Sequence, residues 1–342
     1  MQRHPSLNMY TSSDASEPIL MQDPAVGLRQ RFVLKKEGPL WDFYKRCEKT
    51  EWTADEVPLN EERLHMSKLT PAEQHVIKVI LAFFAAADGI VNENLMTNFA
   101  AEVTLPEARC FYAFQARMEC VHQETYTNLL NVYVPDTAEN ATLMNALETL
   151  PVVKKKAEWA LRWIGTRTAC QPIGQRLLAF ACVEGIHFAS SFATIYWFKQ
   201  ANKAPGLAVA NEWIARDETT HWQFAALLFQ FVQAKPTEAV AHAIVAEAVK
   251  LEMEFVAYVL QTPLIGLNVE LMQQYVRSVA NLILQQFGYA DMYTAHNPFP
   301  FMKMLELPSY SNFFEKKATD YQKSTLHAGT VMDFRHIAEM DF

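Results

Sequence analysis

From Thr70 onward, apolar residues recur at steps of three and four in long runs, the period of helices that bury one face. Thr70-Pro71-Ala72-Glu73 reads as a capping box with proline at the first helical position, opening a helix that runs towards Phe99. Thr104-Leu105-Pro106-Glu107 reads as the same device, and its helix is expected to reach about Tyr133. A shorter pair is expected near Ala138 to Leu147 and Val152 to Ile164. Longer helices follow at about Ile173 to Gln200, Leu207 to Gln233, Glu238 to Leu260 and Glu270 to Phe287, the last stopped by Gly288. The pattern is that of an all-α bundle with little or no sheet. Residues 1–30 mix Pro, Ser, Asp and Met without periodicity and read as a flexible arm. Residues 31–308 form the helical domain, and 309–342 read as an extension passing into a tail.

Composition sharpens this picture. Only 10 of 342 residues are glycine, well under the roughly 7% of average usage, which favours long helices with short connections. A net charge of −8, with no clustered basic face, excludes a nucleic-acid-binding surface. Cys47, Cys110, Cys120, Cys170 and Cys182 are odd in number, form no CxxC pair and read as reduced core thiols. The most apolar run, Val76 to Val91, is interrupted by Lys78 and Asp88 and is not expected to span a membrane. A cytoplasmic location follows as the expectation.

The chemistry is carried by Glu119-Cys-Val-His122 and Glu218-Thr-Thr-His221, Glu-x-x-His pairs whose three-residue step puts both side chains on one helix face. Spacing alone does not select them, because Glu62 to His65 and Glu184 to His187 share it. Context does. Asp88 lies within Ile80-LAFFAAADGI-Val91, and Glu184 shares a stripe with Phe180, Phe188 and Phe192. A carboxylate in such apolar surroundings needs a partner, and a cation is the obvious one. Asp88 precedes one pair by 31 residues and Glu184 the other by 34, so a half-site occurs twice. Carboxylate, Glu-x-x-His, carboxylate, Glu-x-x-His is the ligand plan of ferritin-like two-metal bundles. Glu62-x-x-His65 has polar flanks and reads as a solvated helix start. Tyr126 lies four residues beyond His122 and seven beyond Glu119, within about sixty degrees of both around the axis.

Leu81-AFFAAADGIVNENL-Met96, Met118-ECVHQETY-Thr127, Val153-KKKAEWALRWIG-Thr166, Phe180-ACVEGI-His187 and Arg216-DETTH-Trp222 together resemble the small subunit of class I ribonucleotide reductase, in its eukaryotic-like form. The resemblance runs from about Trp41 to Tyr321. It implies that Asp88, Glu119 and His122 hold one metal and Glu184, Glu218 and His221 the other, with Glu119 and Glu218 able to bridge. It implies two iron ions per chain, or a manganese–iron pair, which use O₂ to generate a tyrosyl radical at Tyr126. Phe188, Phe192 and Ile214 match the apolar pocket around that radical. Trp52, in Glu51-WTADEV-Pro58, and Asp217 match a radical-transfer relay, and Tyr321, in Asn312-FFEKKATDYQ-Lys323, matches its tail tyrosine. His187 matches a position that is no ligand and reads as polar support or surface.

The implied partners are a second copy of the chain and a large subunit that reduces ribonucleotides to deoxyribonucleotides. Phe334, Ile337, Met340 and Phe342 are spaced apolar anchors in a polar segment, the form of a tail that docks on a groove. Asp341-Phe342 agrees with the family ending, whereas the apolar spacing before it differs. Two other readings stay open on the residues: another ferritin-like two-metal oxidase or oxygenase, and a non-enzymatic iron-binding helical protein.

Overall fold

The computed structural model describes residues 16–20, 33–164 and 171–302. Tyr321, Phe334, Ile337, Met340 and Phe342, like Cys170, lie outside the described residues. Apart from single short turns, the α-helices of the described residues are α1 (Pro39–Cys47), α2 (Glu62–Ser67), α3 (Pro71–Asn94), α4 (Pro106–Tyr133), α5 (Thr137–Met144), α6 (Pro151–Ile164), α7 (Ile173–Ala181), α8 (Phe188–Gln200), α9 (Pro205–Phe229), α10 (Glu238–Val259) and α11 (Val269–Gln286). Sheet is confined, among the described residues, to isolated bridges at Leu20–Val103 and Leu264–Leu267. The all-α ferritin-like architecture follows from helices α3, α4, α9 and the α7–α8 pair packing on one another around a common core.

Local chemistry sets the helix ends. Thr70 caps α3 as the sequence implies: its hydroxyl accepts from the Glu73 amide, and the Glu73 carboxylate accepts from the Thr70 amide at 2.9 Å. At α4 the expected box does not form. The helix starts one residue later, at Pro106, with Leu105 as a cap that makes no side-chain bond. Thr104 instead gives its amide and hydroxyl to the Ile19 carbonyl, and Glu107 accepts from the Lys35 amide. Chain segments distant in sequence have outcompeted the local motif. Gly288, at φ +84°, ends α11 where the sequence places the stop.

Two stretches expected as uninterrupted helix carry π-wound turns, Leu95–Phe99 after α3 and Cys182–His187 between α7 and α8. The second packs against α9, α10 and α11. Gly185 makes that approach possible, since a Cβ there would lie 2.5 Å from the Ile283 side chain.

The helical stretches Pro71–Glu102 and Ile173–Gln200 are long and apolar enough to cross a bilayer, and 61% and 100% of their most apolar windows are buried by neighbouring helices. That burial accounts for their hydropathy, because a bundle core makes the same demand as lipid. Glu62 departs from its reading as a solvated helix start: it is 1% exposed. Its carboxylate accepts from the Tyr133 hydroxyl and, at 2.6 Å, from the Gly206 amide. The cysteines also divide: Cys47 and Cys182 are buried, Cys110 is partly covered and Cys120 is exposed, so Cys120 is not a core thiol.

Gly206 is the second residue of α9, where a Cβ would meet the Pro58 carbonyl oxygen at 2.4 Å and Glu62 Cγ at 2.8 Å. Since the first obstacle is backbone, Gly206→Ala is expected to lower unfolding stability by roughly 2 kcal/mol or more. The check is the denaturant midpoint at constant slope; an unshifted midpoint would show that the α2–α9 contact relaxes freely.

Candidate metal centre

Asp88 comes from α3, Glu119 and His122 from α4, Glu184 from the π-wound turn, and Glu218 and His221 from α9. All six are 0–1% exposed. Ligand atoms of Asp88, Glu119 and His122 lie within 4.8 Å of one another, as do those of Glu119, Glu184, Glu218 and His221. The two groups share Glu119. Glu218 also touches both, with one oxygen 2.8 Å from His122 Nδ1 and the other 2.8 Å from His221 Nδ1. His221 Nδ1 is 3.1 Å from Glu119 and 3.9 Å from Glu184.

Four carboxylates and two imidazoles in a dry interior fit a pair of divalent cations with hard oxygen and imidazole donors. Both oxygens of Asp88 and of Glu184, one of Glu119, and His221 Nε2 have no hydrogen-bond partner, and the 2.8 Å approach of Glu218 to His122 Nδ1 is not aligned as a hydrogen bond. Without cations, protons take their place. Burial first, then the charges of Glu119 and Glu218, raises Asp88 well above the usual carboxylate range. Burial followed by Glu218 does the same to Glu184. Burial alone would lower the two histidines, but Glu218 and the other carboxylates outweigh it and raise both. For Glu218 burial is outweighed by His221 and its other partners, so it stays ionised.

Around this cluster the structure brings several sequence-singled residues together. Tyr126 is 2% exposed and its hydroxyl has no partner. Burial and then the carboxylate field, Asp88 foremost, push its phenol well above the ordinary tyrosine range. Its ring stacks on Phe84 at 4.6 Å and 9°. Phe84 in turn meets Phe188 at 5.4 Å and Phe192 at 5.1 Å, and Ile214 is buried on α9. Phe84 escaped the sequence reading because it is one of 22 phenylalanines, and only its place four residues before Asp88 could have marked it.

Trp52, 1% exposed, donates its indole N–H to Asp217 at 2.7 Å. The same Asp217 oxygen is 3.2 Å from His122 Nε2, and the Trp52 and His122 rings stack at 5.8 Å. Burial would raise Asp217, but the adjacent Arg216 guanidinium and the bonds to His122 and Trp52 hold it below the usual carboxylate range. Arg216 also reaches the Thr50 carbonyl, fixing the loop that carries Trp52. His187 is not at the surface: it is 1% exposed and packs edge-on against Trp159 at 5.0 Å. It belongs to neither ligand group.

Fold and site together define a ferritin-like bundle around a buried carboxylate and histidine cluster that could hold a pair of metal ions. The family model for "Ribonucleotide reductase, small chain" matches residues 32–298. The chain is 45% identical over 309 residues to ribonucleoside-diphosphate reductase subunit M2 of Mesocricetus auratus, covering 90% of this chain and 78% of that one. The solved structure of the Rnr4 homodimer of Saccharomyces cerevisiae is similar at TM-score 0.76 and 34% identity, over 91% of this chain and 94% of that one. The dimanganese(II)-NrdF structure of Streptococcus sanguinis shares the fold at TM-score 0.71 and 17% identity, over 81% and 100%. The chain belongs to the ribonucleotide reductase small-chain family, and is on that ground the small subunit of an oxidoreductase.

Because the metal-free cluster holds protons on Asp88, Glu184 and the histidines, cations must displace them. Affinity for Mn(II) is therefore expected to rise with pH, with net proton release. Calorimetric titration of apoprotein in buffers of different ionisation heat measures this directly; equal enthalpies in all buffers would contradict it.

Proposed function

We propose that the chain generates and stores a tyrosyl radical at Tyr126 and lends its oxidising equivalent to a large subunit that reduces ribonucleotides to deoxyribonucleotides. The observation that carries this reading is the Tyr126 phenol, buried and unbonded beside the six ligands and roofed by Phe84. Asp88, Glu119 and His122 would hold one metal and Glu184, Glu218 and His221 the other, with Glu119 and Glu218 bridging. Bound there, two irons, or a manganese–iron pair, would supply the oxidising power drawn from O₂.

The chain's own residues do the rest. The phenol is neutral, because burial and the nearby carboxylates oppose its ionisation, so its oxidation removes a proton with the electron. Phe84, Phe188, Phe192 and Ile214 keep water and reductants from the oxidised ring. Trp52, Asp217 and His122 form a continuous bonded path from the cluster to α9 and the loop before Ala54, suited to moving an electron outward. Tyr321 would continue that path, and Phe334, Ile337, Met340 and Phe342 would dock the tail on the large subunit. On this reading residues 1–30 are an arm, 31–308 the radical-generating domain and 309–342 the docking tail. The working form is a homodimer in the cytoplasm. A self-contained oxygenase has no use for the Trp52 path, and that favours the reductase reading.

Reconstitution with Fe(II) and O₂ is expected to give a tyrosyl signal by electron paramagnetic resonance. Tyr126→Phe should abolish it while two metals still bind. Trp52→Phe should keep the signal but lower nucleotide reduction with a cognate large subunit by about a hundredfold or more, about 2.7 kcal/mol of barrier. A full signal in Tyr126→Phe would reassign the radical, and full turnover in Trp52→Phe would remove the relay.

A further inference from the structure

Behind the metal centre lies a second buried charged group. Lys156 of α6 is 2% exposed and Glu252 of α10 fully buried. The Lys156 ammonium donates at 2.6 Å to the Glu252 carboxylate and at 2.6 Å to the backbone carbonyl of His187, the last residue of the π-wound turn. Glu252 accepts, through its other oxygen, from the amide of Ser190 at 3.2 Å and from the Ser190 hydroxyl. Ser190 stands in the first α-wound turn after the π winding. The ammonium also sits over the Phe83 and Phe255 rings, at 3.6 and 3.9 Å from their centroids. Two helices that carry no metal ligand thus grip both sides of the junction where π winding returns to α winding.

That junction matters because of Glu184. Glu119 has Gln115 at 3.5 Å to steady one oxygen, and His122 is steadied by Asp217. Among the described residues no group outside the cluster bonds the Glu184 carboxylate. Its direction is set by its backbone, a turn of six residues in non-standard winding, ending at His187. A buried ion pair is weak support for stability in itself, since well-packed apolar residues serve as well. Hydrogen bonds aimed at one carbonyl and one amide are, by contrast, geometrically specific.

We propose that Lys156 and Glu252 are a positioning pair: by clamping the His187 carbonyl and Ser190, they hold the π-wound turn so that Glu184 faces the metal it shares with Glu218 and His221. The proposal rests on the two-metal reading of the cluster. Lys156 and Glu252 touch neither metal ligand nor Tyr126, and act through the backbone.

The test is Mn(II) binding to apoprotein, followed by titration calorimetry and by the anomalous occupancy of each site in crystals. Wild type is expected to bind two ions. Lys156→Met/Glu252→Gln, isosteric and neutral, should keep the helix content and the ion at Asp88, Glu119 and His122, but weaken the ion at Glu184 by about tenfold or more, the cost of losing an orienting contact around a metal. Two ions bound by the double variant with wild-type affinity would overturn the proposal. Should the double variant not fold, Ser190→Ala removes one bond to Glu252 without stranding a charge. About threefold weakening at Glu184 is then expected, and none would equally overturn the proposal. A wild-type protein that takes up no pair of ions would instead overturn the two-metal reading.

Discussion

Like charges confined in a dry interior repel one another, and the packing around α3, α4, the π-wound turn and α9 is arranged to make that confinement tolerable. Ligand atoms of Asp88 lie within 4.8 Å of those of Glu119, and those of Glu119 within the same distance of those of Glu184 and Glu218. An ion in such a site loses hydration worth several kcal/mol after relaxation. Protons offset this in the metal-free protein, and cations can take their place. Either way the four helices are held by a polar centre whose members cannot leave singly, since each carboxylate that departs uncovers positive charge for which the others were the partners.

The same constraint explains the aromatic shell. A buried phenol beside Asp88, Glu218 and Glu119 resists ionisation, so Tyr126 stays neutral, and its hydroxyl has no partner. Phe84, stacked on Tyr126 and itself packed edge-on by Phe188 and face-on by Phe192, keeps that side of the cluster free of groups that could donate to the phenol oxygen. On the opposite flank the chain does the reverse. His122 turns its Nε2 to Asp217, which also receives the Trp52 indole. One imidazole thus has a face for the cluster and a face for the bonded path leading out of it. A dry wall on one side and a polar exit on the other are what separate storing an oxidised ring from passing the oxidation on.

Much of this was legible in the chain, and what was not has identifiable physical causes. The Thr70 box and the Gly288 stop are local devices whose partners lie within a turn, so the residues themselves announce them. Thr104 was misread because its competitor, the Ile19 carbonyl, lies 85 residues away. Glu62 looked solvated for the same reason: Tyr133 and Gly206, which bury it, are 71 and 144 residues distant. The six ligands were legible because a buried carboxylate contradicts its apolar neighbours, and contradiction is a signal that ordinary core residues such as Phe84 never emit. Lys156 left no such trace, sitting as it does in a run of three lysines.

The Glu184–His187 spacing shows how winding decides what a motif means. In an α-helix a three-residue step returns nearly to the same face, as Glu119 with His122 and Glu218 with His221 demonstrate by both reaching the cluster. A π turn closes its hydrogen bonds over five residues rather than four, so the same step sweeps through less of a circle. His187 then falls away from Glu184 and lands against Trp159, while its carbonyl is presented to Lys156. A third imidazole in the cluster would compete with the carboxylates and soften the donor set. The distortion that aims Glu184 inward is therefore also what keeps His187 out, and one local change of winding accomplishes both.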